Sequence, residues 1–165
     1  MKPASSKPSD AWWVTVQMAL SLVILWVGVT WQGTRCAVCM TLGALCWVYA
    51  GWVGVTGVRD LGKNRTTRPT PVESGELVTH GIYSRLRHPL YSAVMAMGFG
   101  WALFWSSVAA AILATVLAVF LRFKARHEES MLRDCYPGYA AYAKQVPAFV
   151  PLLKRFRAES PTPES

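Results

Sequence analysis

Three long stretches of the chain contain no charged residue, and they determine the architecture that the sequence predicts. They cover residues 11–31, 36–58 and 89–121, and are 21, 23 and 33 residues long. A helix needs about 20 apolar residues to cross a hydrocarbon core that is about 30 Å thick. The first two stretches therefore each predict one membrane-spanning helix.

The third stretch is too long for one ordinary crossing. At 1.5 Å per residue, a single helix over residues 89–121 would be about 50 Å long. We expect a tight hairpin of two short helices that turns at residues 104–107, where two serines follow two aromatic residues, Phe104 and Trp105. Polar and aromatic residues suit a turn at a membrane interface. The alternative is one tilted helix that continues into the aqueous phase.

The pattern predicts an all-α integral membrane protein with about four transmembrane helices, including a C-terminal helical hairpin, and a cytoplasmic tail helix. The expected segments are a disordered N-terminus, two transmembrane helices, a loop, the transmembrane hairpin, a cofactor-binding tail and a disordered C-terminus, over residues 1–10, 11–58, 59–88, 89–123, 124–157 and 158–165. One domain accounts for the whole length.

The basic residues predict the orientation. The chain has a net charge of +8, yet only 16% of its residues are charged, and its mean hydropathy is +0.26. With four crossings, 16 of the 17 Lys and Arg residues lie on one side, and only Arg35 lies on the other. Positive residues mark the cytoplasmic side, so both termini are expected there, in a bacterial inner membrane. Topology and anionic headgroups account for the basic surplus, and we expect membrane lipids but no nucleic acid as partners.

Two smaller patterns have structural interpretations. Gly51, Gly54 and Gly57 recur every three residues in the second stretch, which predicts a close helix-packing seam. Cys36 and Cys39 form a CxxC motif within a predicted helix end, without a second cysteine pair. Zinc and redox sites usually need more ligands or a thioredoxin-like setting, which argues against either role here.

The polar residues that a membrane bundle does not need for folding form two clusters. One covers residues 75–91 and leads directly into the third stretch, and the other covers residues 126–129. If the hairpin forms, both clusters reach the same end of the bundle. Pro89 suits the first turn of a helix, which puts His88 at the cap beside backbone N–H groups that can bind an anion. The two clusters predict a pocket for a zwitterionic or mixed-charge ligand.

Four motifs in order resemble the isoprenylcysteine carboxyl methyltransferase family. They are LVTHGIY at residues 77–83, RHPLY at 87–91, EExxL at 128–132 and YxxYxxxVP at 139–147. The resemblance covers roughly residues 75–153, nearly half the chain. Related membrane methyltransferases of phospholipids and of small thiols share much of this pattern, as do membrane sterol reductases that use NADPH.

The resemblance implies S-adenosylmethionine as the cofactor, held in a pocket that is closed off from bulk water. Glu128 would bind the amino or ribose end of the cofactor. Glu129 would support it from one side, in a partly exposed ion pair with Arg126 or with a loop arginine. His88 would lie near the methionyl carboxylate, and Leu77 and Val78 would hold the adenosine. The residues implied at the cofactor are Glu76, Leu77, Val78, Tyr83, His88, Tyr91, Glu128 and Glu129, and those implied at the reaction are Arg87, His88 and Tyr91.

The resemblance further implies a lipophilic or lipidated substrate that enters from the membrane. Lys124 and Arg126 are the basic residues expected to contact it. The implied reaction is methylation of the carboxylate of an isoprenylcysteine-like acceptor, which is already ionised and needs no general base. The alternatives are a phospholipid or small-thiol methyltransferase, an NADPH-dependent reductase and a non-enzymatic membrane adaptor. The three scattered histidines predict no metal site.

Overall fold

The computed structural model describes residues 9–62 and 77–151, and all regular structure in these ranges is helical. Four long helices are followed by a short one, and a 3-10 helix at Gly81–Ser84 precedes the third. The helices are α1 (Ser9–Thr30), α2 (Ala37–Leu61), α3 (Pro89–Phe104), α4 (Val108–Cys135) and α5 (Tyr139–Gln145). The predicted all-α class is confirmed. The segments predicted to be disordered lie almost entirely outside the described residues.

Helices α1, α2 and α4 are long and apolar enough to cross a membrane. Helix α3 is also apolar, but its 16 residues extend only about 24 Å. Large apolar side chains, such as those of Trp26, Val48 and Val108, point outward from the bundle. Outward apolar side chains on all sides are typical of helices that face lipid. The chain is an integral membrane protein.

The third apolar stretch forms the predicted hairpin rather than one long helix. The turn falls at Trp105 and Ser106, and the Ser107 side chain caps α4 by accepting a hydrogen bond from the Ala110 N–H. Ser107 Oγ also donates to the Trp31 carbonyl oxygen at 2.7 Å. The α1–α2 connection therefore meets the α3–α4 turn at one end of the bundle, which we call the turn end.

Helices α2 and α3 pack through small residues. Gly43, Ala50 and Gly57 are buried in α2 at seven-residue spacing, so they lie on one face. A Cβ at Gly43 would lie 2.7 Å from the Gly100 carbonyl oxygen of α3, so only glycine fits there. The expected seam is partly wrong, because Gly51 has nothing within 4 Å of its Cβ position. Residues at i and i+3 are about 60° apart, so a three-residue repeat drifts off the contact face.

Helix α4 continues through residue 124, at which we expect the tail to begin, and ends only at Cys135. Residues 122–135 contain no Gly or Pro, and the first helix-breaking residues are Pro137 and Gly138. The buried face of its apolar half, including Ala114, Leu117 and Leu121, packs against Ile24 of α1. Its polar half continues in the same helix and is also packed, with Lys124, Ala125 and Glu129 buried.

The opposite end of the bundle, which we call the site end, is closed by the 3-10 helix and by α5. The Asp60 carboxylate at the end of α2 accepts a hydrogen bond from the Ile82 N–H at 2.7 Å. The Tyr142 hydroxyl donates to the Tyr83 carbonyl oxygen at 2.6 Å. Tyr139, Tyr142 and Val146 form a second small core. These contacts fix the loop that leads into α3.

Candidate active site

The RHP sequence is held in place by the residues after α5. The N–H groups of Arg87 and His88 donate to the carbonyl oxygens of Pro147 and Ala148, at 2.9 and 3.0 Å. The Ser92 hydroxyl donates to the Phe149 carbonyl oxygen at 3.0 Å. His88 is the N-cap of α3, as predicted, and Pro89 occupies the first turn. The RHP motif is therefore fixed between α3 and residues 147–149, which we call the C-terminal segment.

Glu129 is at the centre of a buried ion cluster. Its Oε1 lies 3.1 Å from an Nη of Arg87 and 3.0 Å from His88 Nε2. The imidazole must donate through Nε2, because an ionised carboxylate only accepts hydrogen bonds. Arg133, one turn later in α4, approaches Oε2 at 3.4 Å. The Glu129 and His88 side chains are only 9% and 6% exposed, so this cluster is shielded from water.

Glu128 makes a separate contact on the same side of α4. Its Oε2 accepts a hydrogen bond from the Tyr91 hydroxyl at 2.9 Å. The same oxygen lies 3.8 Å from His88 Nδ1, which is too far for a hydrogen bond. The rings of His88 and Tyr91 stack nearly parallel, with centroids 5.4 Å apart. His88 thus lies between the two glutamates.

The two polar clusters meet at the site end, as the hairpin predicts, but the expected position of Glu129 is wrong. We expected Glu129 in a partly exposed ion pair beside the pocket, with Arg126 or a loop arginine. It pairs with the loop residue Arg87, but inside the protein. Adjacent helical residues are about 100° apart, and α3 and the loop surround α4 closely enough to contact both directions.

A cleft of about 110 Å³ opens beside this cluster. Its lining residues come from the loop, the polar half of α4 and the C-terminal segment, and include Arg87, Arg122, Arg126, Glu129 and Phe149. Arg87 Nε is buried there without a hydrogen-bond partner among the described residues. Three arginines around one already paired carboxylate make the cleft attractive to an anionic group.

The two residues expected at the substrate do not come together. Lys124 is buried, and its Nζ donates to Gln17 Oε1 of α1 at 2.8 Å, above the ring of Tyr91. Arg126 lies on another face and lines the cleft beside Arg122. Residues two apart on a helix point about 200° apart, so only one of them can face a given ligand. Arg122 and Arg126, rather than Lys124 and Arg126, lie together at the cleft.

Of the remaining predicted cofactor residues, the three that the structure describes lie outside the lining of the cleft. Tyr83 is buried against α2 and α5, and its burial and the nearby Glu128 charge raise the pKa of its hydroxyl. Leu77 packs on the core around Tyr139, and Val78 follows it in the loop. Glu76 lies outside the described residues. The roles implied for these four residues stay predictions.

Sequence reasoning missed Arg122, Phe149 and Gln17. In the sequence, Arg122 and the basic residues that follow it fit an ordinary cluster at the point where a helix leaves the membrane. Its spacing of four residues from Arg126 was the available signal, because such residues share a helix face. Gln17 was the only amide side chain in an otherwise uncharged span, and such a residue usually has a polar partner. Nothing in the sequence indicated Phe149.

Within the described ranges, no three His, Cys, Asp or Glu residues are grouped as a metal site.

Comparison with known proteins identifies the family. The profile of the phospholipid methyltransferase family matches residues 38–138, which is more than half of the chain. The chain belongs to this family. The matched residues run from α2 to just past the end of α4, and so include both the RHP motif and the Glu128–Glu129 pair.

Two bacterial proteins are similar in sequence to this chain. The chain is 43% identical over 90 residues to the nickel-cobalt-cadmium resistance protein NccN of Alcaligenes xylosoxydans xylosoxydans. It is 38% identical over 90 residues to the cobalt-zinc-cadmium resistance protein CzcN of Cupriavidus metallidurans. Each match covers 53% of this chain, which spans only about two fifths of either relative, 42% and 41%.

A similar solved structure is that of the eukaryotic intramembrane Ras methyltransferase ICMT, an isoprenylcysteine carboxyl methyltransferase. It superposes with a TM-score of 0.62 over 94% of this chain and 56% of its own, at 17% sequence identity. At that identity the likeness establishes the fold alone. The predicted membrane methyltransferase fold is confirmed by this superposition, together with the family match.

Proposed function

We propose that this protein is an integral membrane methyltransferase that transfers the methyl group of S-adenosylmethionine to a lipophilic acceptor. The observation that supports the proposal most is the arrangement of Tyr91–Glu128 and Arg87–Glu129 beside one cleft at the end of a membrane bundle. A purely structural bundle needs neither a buried ion cluster nor an arginine-lined cleft. Family membership supports the same chemistry.

The side chains at the cleft suit such a cofactor in type. Glu128, which lies outside the lining of the cleft but is 23% exposed, can accept from an ammonium or from ribose hydroxyls, and the arginines of the cleft can donate to a carboxylate. The cleft of about 110 Å³ is smaller than the roughly 300–1,000 Å³ of pockets for drug-sized ligands. We therefore assign to it one end of the cofactor only. When bound, the cofactor supplies a methyl group activated by a sulfonium.

The residues of the chain act by binding, orientation and exclusion of water. Glu129 holds the Arg87 and His88 side chains in fixed positions through its two short contacts. Tyr91 fixes the carboxylate of Glu128 by donating a hydrogen bond. Alignment of reactants in a dry site can supply a large part of a rate enhancement, and methyl transfer from a sulfonium demands little more.

The geometry favours an acceptor that is already ionised. The Tyr91 hydroxyl is hydrogen-bonded to Glu128, and the His88 imidazole is held by Glu129 and is only 6% exposed, so neither group is placed to reach an acceptor. A thiol or amine acceptor would need one of these groups as a base. A carboxylate needs none, and Arg122 and Arg126 can bind it. We therefore propose the carboxylate of an isoprenylcysteine-like molecule as the acceptor.

The test is a methyl-transfer assay with purified protein in detergent. Radiolabelled S-adenosylmethionine would be supplied with an S-farnesylcysteine analogue, with phosphatidylethanolamine or with a small alkyl thiol, each in a separate reaction. We expect label in the farnesylcysteine ester, and at least tenfold less with Glu128→Gln. Label in the phospholipid or the thiol instead would refute the proposed acceptor. Calorimetric binding of NADPH without binding of S-adenosylmethionine would refute the methyltransferase itself.

A further inference from the structure

The turn end of the bundle carries a pair of cysteines that the proposed methyl transfer does not use. Cys36 is the N-cap of α2, and Cys39 lies in its first turn. The two sulfur atoms are 2.8 Å apart, and Cys36 is exposed while Cys39 is half-buried. Helix α4 separates this end from Glu128 by 21 residues, or about 30 Å. The pair is therefore a distinct feature of the protein.

The structure shows hydrogen bonds around the Cys36 thiol that the sequence pattern does not reveal. The Cys39 N–H donates a hydrogen bond to Cys36 Sγ at 3.2 Å, and the Cys39 thiol also contacts that sulfur. These two hydrogen bonds lower the pKa of the exposed Cys36 thiol. A CxxC at the first turn of a helix, with its first thiol activated, is typical of reactive dithiols. The CxxC pattern in the sequence does not show this geometry, which favours a redox role that the pattern alone does not support.

Among the described residues, the lack of a third ligand beside the two thiols favours a redox pair over a metal chelate. Two thiolates on one tetrahedral zinc ion, each at about 2.3 Å, must lie roughly 3.8 Å apart. The observed 2.8 Å is about 1 Å shorter than that. A disulfide needs about 2.05 Å, which a small side-chain rotation can provide. In the described residues no third His, Cys, Asp or Glu joins the pair to complete a metal site.

We propose that Cys36 and Cys39 form a redox-active dithiol that is converted reversibly to an intramolecular disulfide by thiol–disulfide exchange. The oxidant is a low-molecular-weight or protein disulfide. The Cys36 thiolate attacks one sulfur of that disulfide, which forms a mixed disulfide and releases the first thiol. The Cys39 thiol then loses its proton and attacks Cys36 Sγ, which releases the second thiol. The protein loses two electrons and two protons, and the oxidant becomes two thiols.

The exposure of the pair allows such a partner to approach. Arg35, directly before the pair, stacks on Trp105 and donates to Gln32. Its charge is therefore held at the turn end without an acidic partner in those contacts. Cys36 and Cys39 lie beyond the first charge-free stretch, on the side that we expect to face away from the cytoplasm. Disulfides form and persist in such compartments.

The test is thiol counting on the full chain in detergent, after equilibration in glutathione buffers from fully reducing to fully oxidising. The chain has four cysteines, at positions 36, 39, 46 and 135, and each free thiol adds one maleimide-polyethylene glycol shift on a gel. We expect four shifts in reduced protein and two in oxidised protein, in a single reversible transition. Cys39→Ser should instead trap a mixed disulfide with glutathione at Cys36.

A matched control uses the other exposed cysteine. Cys36 begins α2, where the helix dipole favours a thiolate, whereas Cys135 is the last residue of α4. We expect iodoacetamide to alkylate Cys36 several-fold faster than Cys135 at pH 7. Equal rates, or four free thiols in oxidising glutathione, would overturn the proposal. Stoichiometric Cd²⁺ binding that protects both thiols while oxidation fails would also overturn it, in favour of a metal site.

Discussion

Replacing Glu129 with Gln should damage the fold more than replacing Glu128. Glu129 is the shared partner of Arg87 and His88, and all three side chains are at most 13% exposed. Glu129→Gln leaves the Arg87 guanidinium without its counter-charge inside the protein. It also puts an amide NH₂ group where two donors already converge.

The magnitude follows from burial. Breaking a buried ion pair by removing one partner costs about 3–5 kcal/mol, whereas an exposed pair contributes about 0–1 kcal/mol. The contact with Arg133 belongs to the second kind, because that side chain is 51% exposed. Since a Gln oxygen can still accept one bond, we expect the lower end, about 3 kcal/mol. For a chain of this size that lowers the melting temperature by roughly 6–12 °C.

The matched control is Glu128→Gln. Its amide oxygen can still accept the hydrogen bond from Tyr91, so it should cost only about 0.5–1.5 kcal/mol in stability. Loss of the charge should weaken S-adenosylmethionine binding by about ten- to a hundredfold, which corresponds to a charged hydrogen bond of about 1.5–3 kcal/mol. Thermal unfolding in detergent and calorimetric cofactor binding would be measured for both variants.

Two results would contradict this reasoning. If Glu129→Gln melts within about 2 °C of the unsubstituted protein, the ion cluster does not hold the loop and α4 together. If Glu128→Gln binds the cofactor normally while remaining folded, Glu128 is no part of the cofactor site. A larger loss of affinity in Glu129→Gln, at equal stability, would reverse the roles that we assign to the two glutamates.

Three further predictions concern packing, the site and topology. Gly43→Ala should lower the melting temperature by several degrees because its Cβ would meet the α3 backbone at 2.7 Å, whereas Gly51→Ala, with open space around it, should leave thermal unfolding unchanged or slightly improved. Tyr91→Phe should reduce cofactor affinity several-fold with little change in stability, because Glu128 loses its hydrogen bond; unchanged calorimetric affinity would speak against this role. After reduction of spheroplasts with an impermeant reductant, an impermeant maleimide should label Cys36 but not Thr66→Cys. The reverse pattern would refute the predicted cytoplasmic loop.

Long-range patterns in the sequence predicted the bundle well. Absence of charge over residues 11–31, 36–58 and 89–121 is a property of whole helices, and a lipid environment enforces it strongly. The turn at Trp105 and Ser106 followed from the length of the third stretch and from the aromatic residues and serines at residues 104–107. The convergence of the RHP sequence and the glutamate pair followed from the hairpin, since antiparallel helices return the chain to the end from which it started.

Details that depend on helix rotation could not be predicted. Lys124 turns toward Gln17 in α1, and Arg126 toward the cleft, because the direction of each follows from how α4 is rotated against its neighbours. The burial of Glu129 depends likewise on the C-terminal segment, which fixes the backbone of Arg87. Such contacts join residues that are more than 40 positions apart, and no local pattern encodes them.

The hydrogen bonds from the RHP backbone to Pro147 and Ala148 have a consequence for biogenesis. Helices α1 to α4 can enter the bilayer as soon as they emerge, but the strand of chain that secures Arg87 and His88 is synthesised after all of them. An insertion intermediate therefore has its membrane anchor before it has a competent site. Until residues 147–149 have docked, a growing chain lacks the hydrogen bonds that position Arg87 and His88. A chain that ends before these residues would occupy the membrane without a completed site.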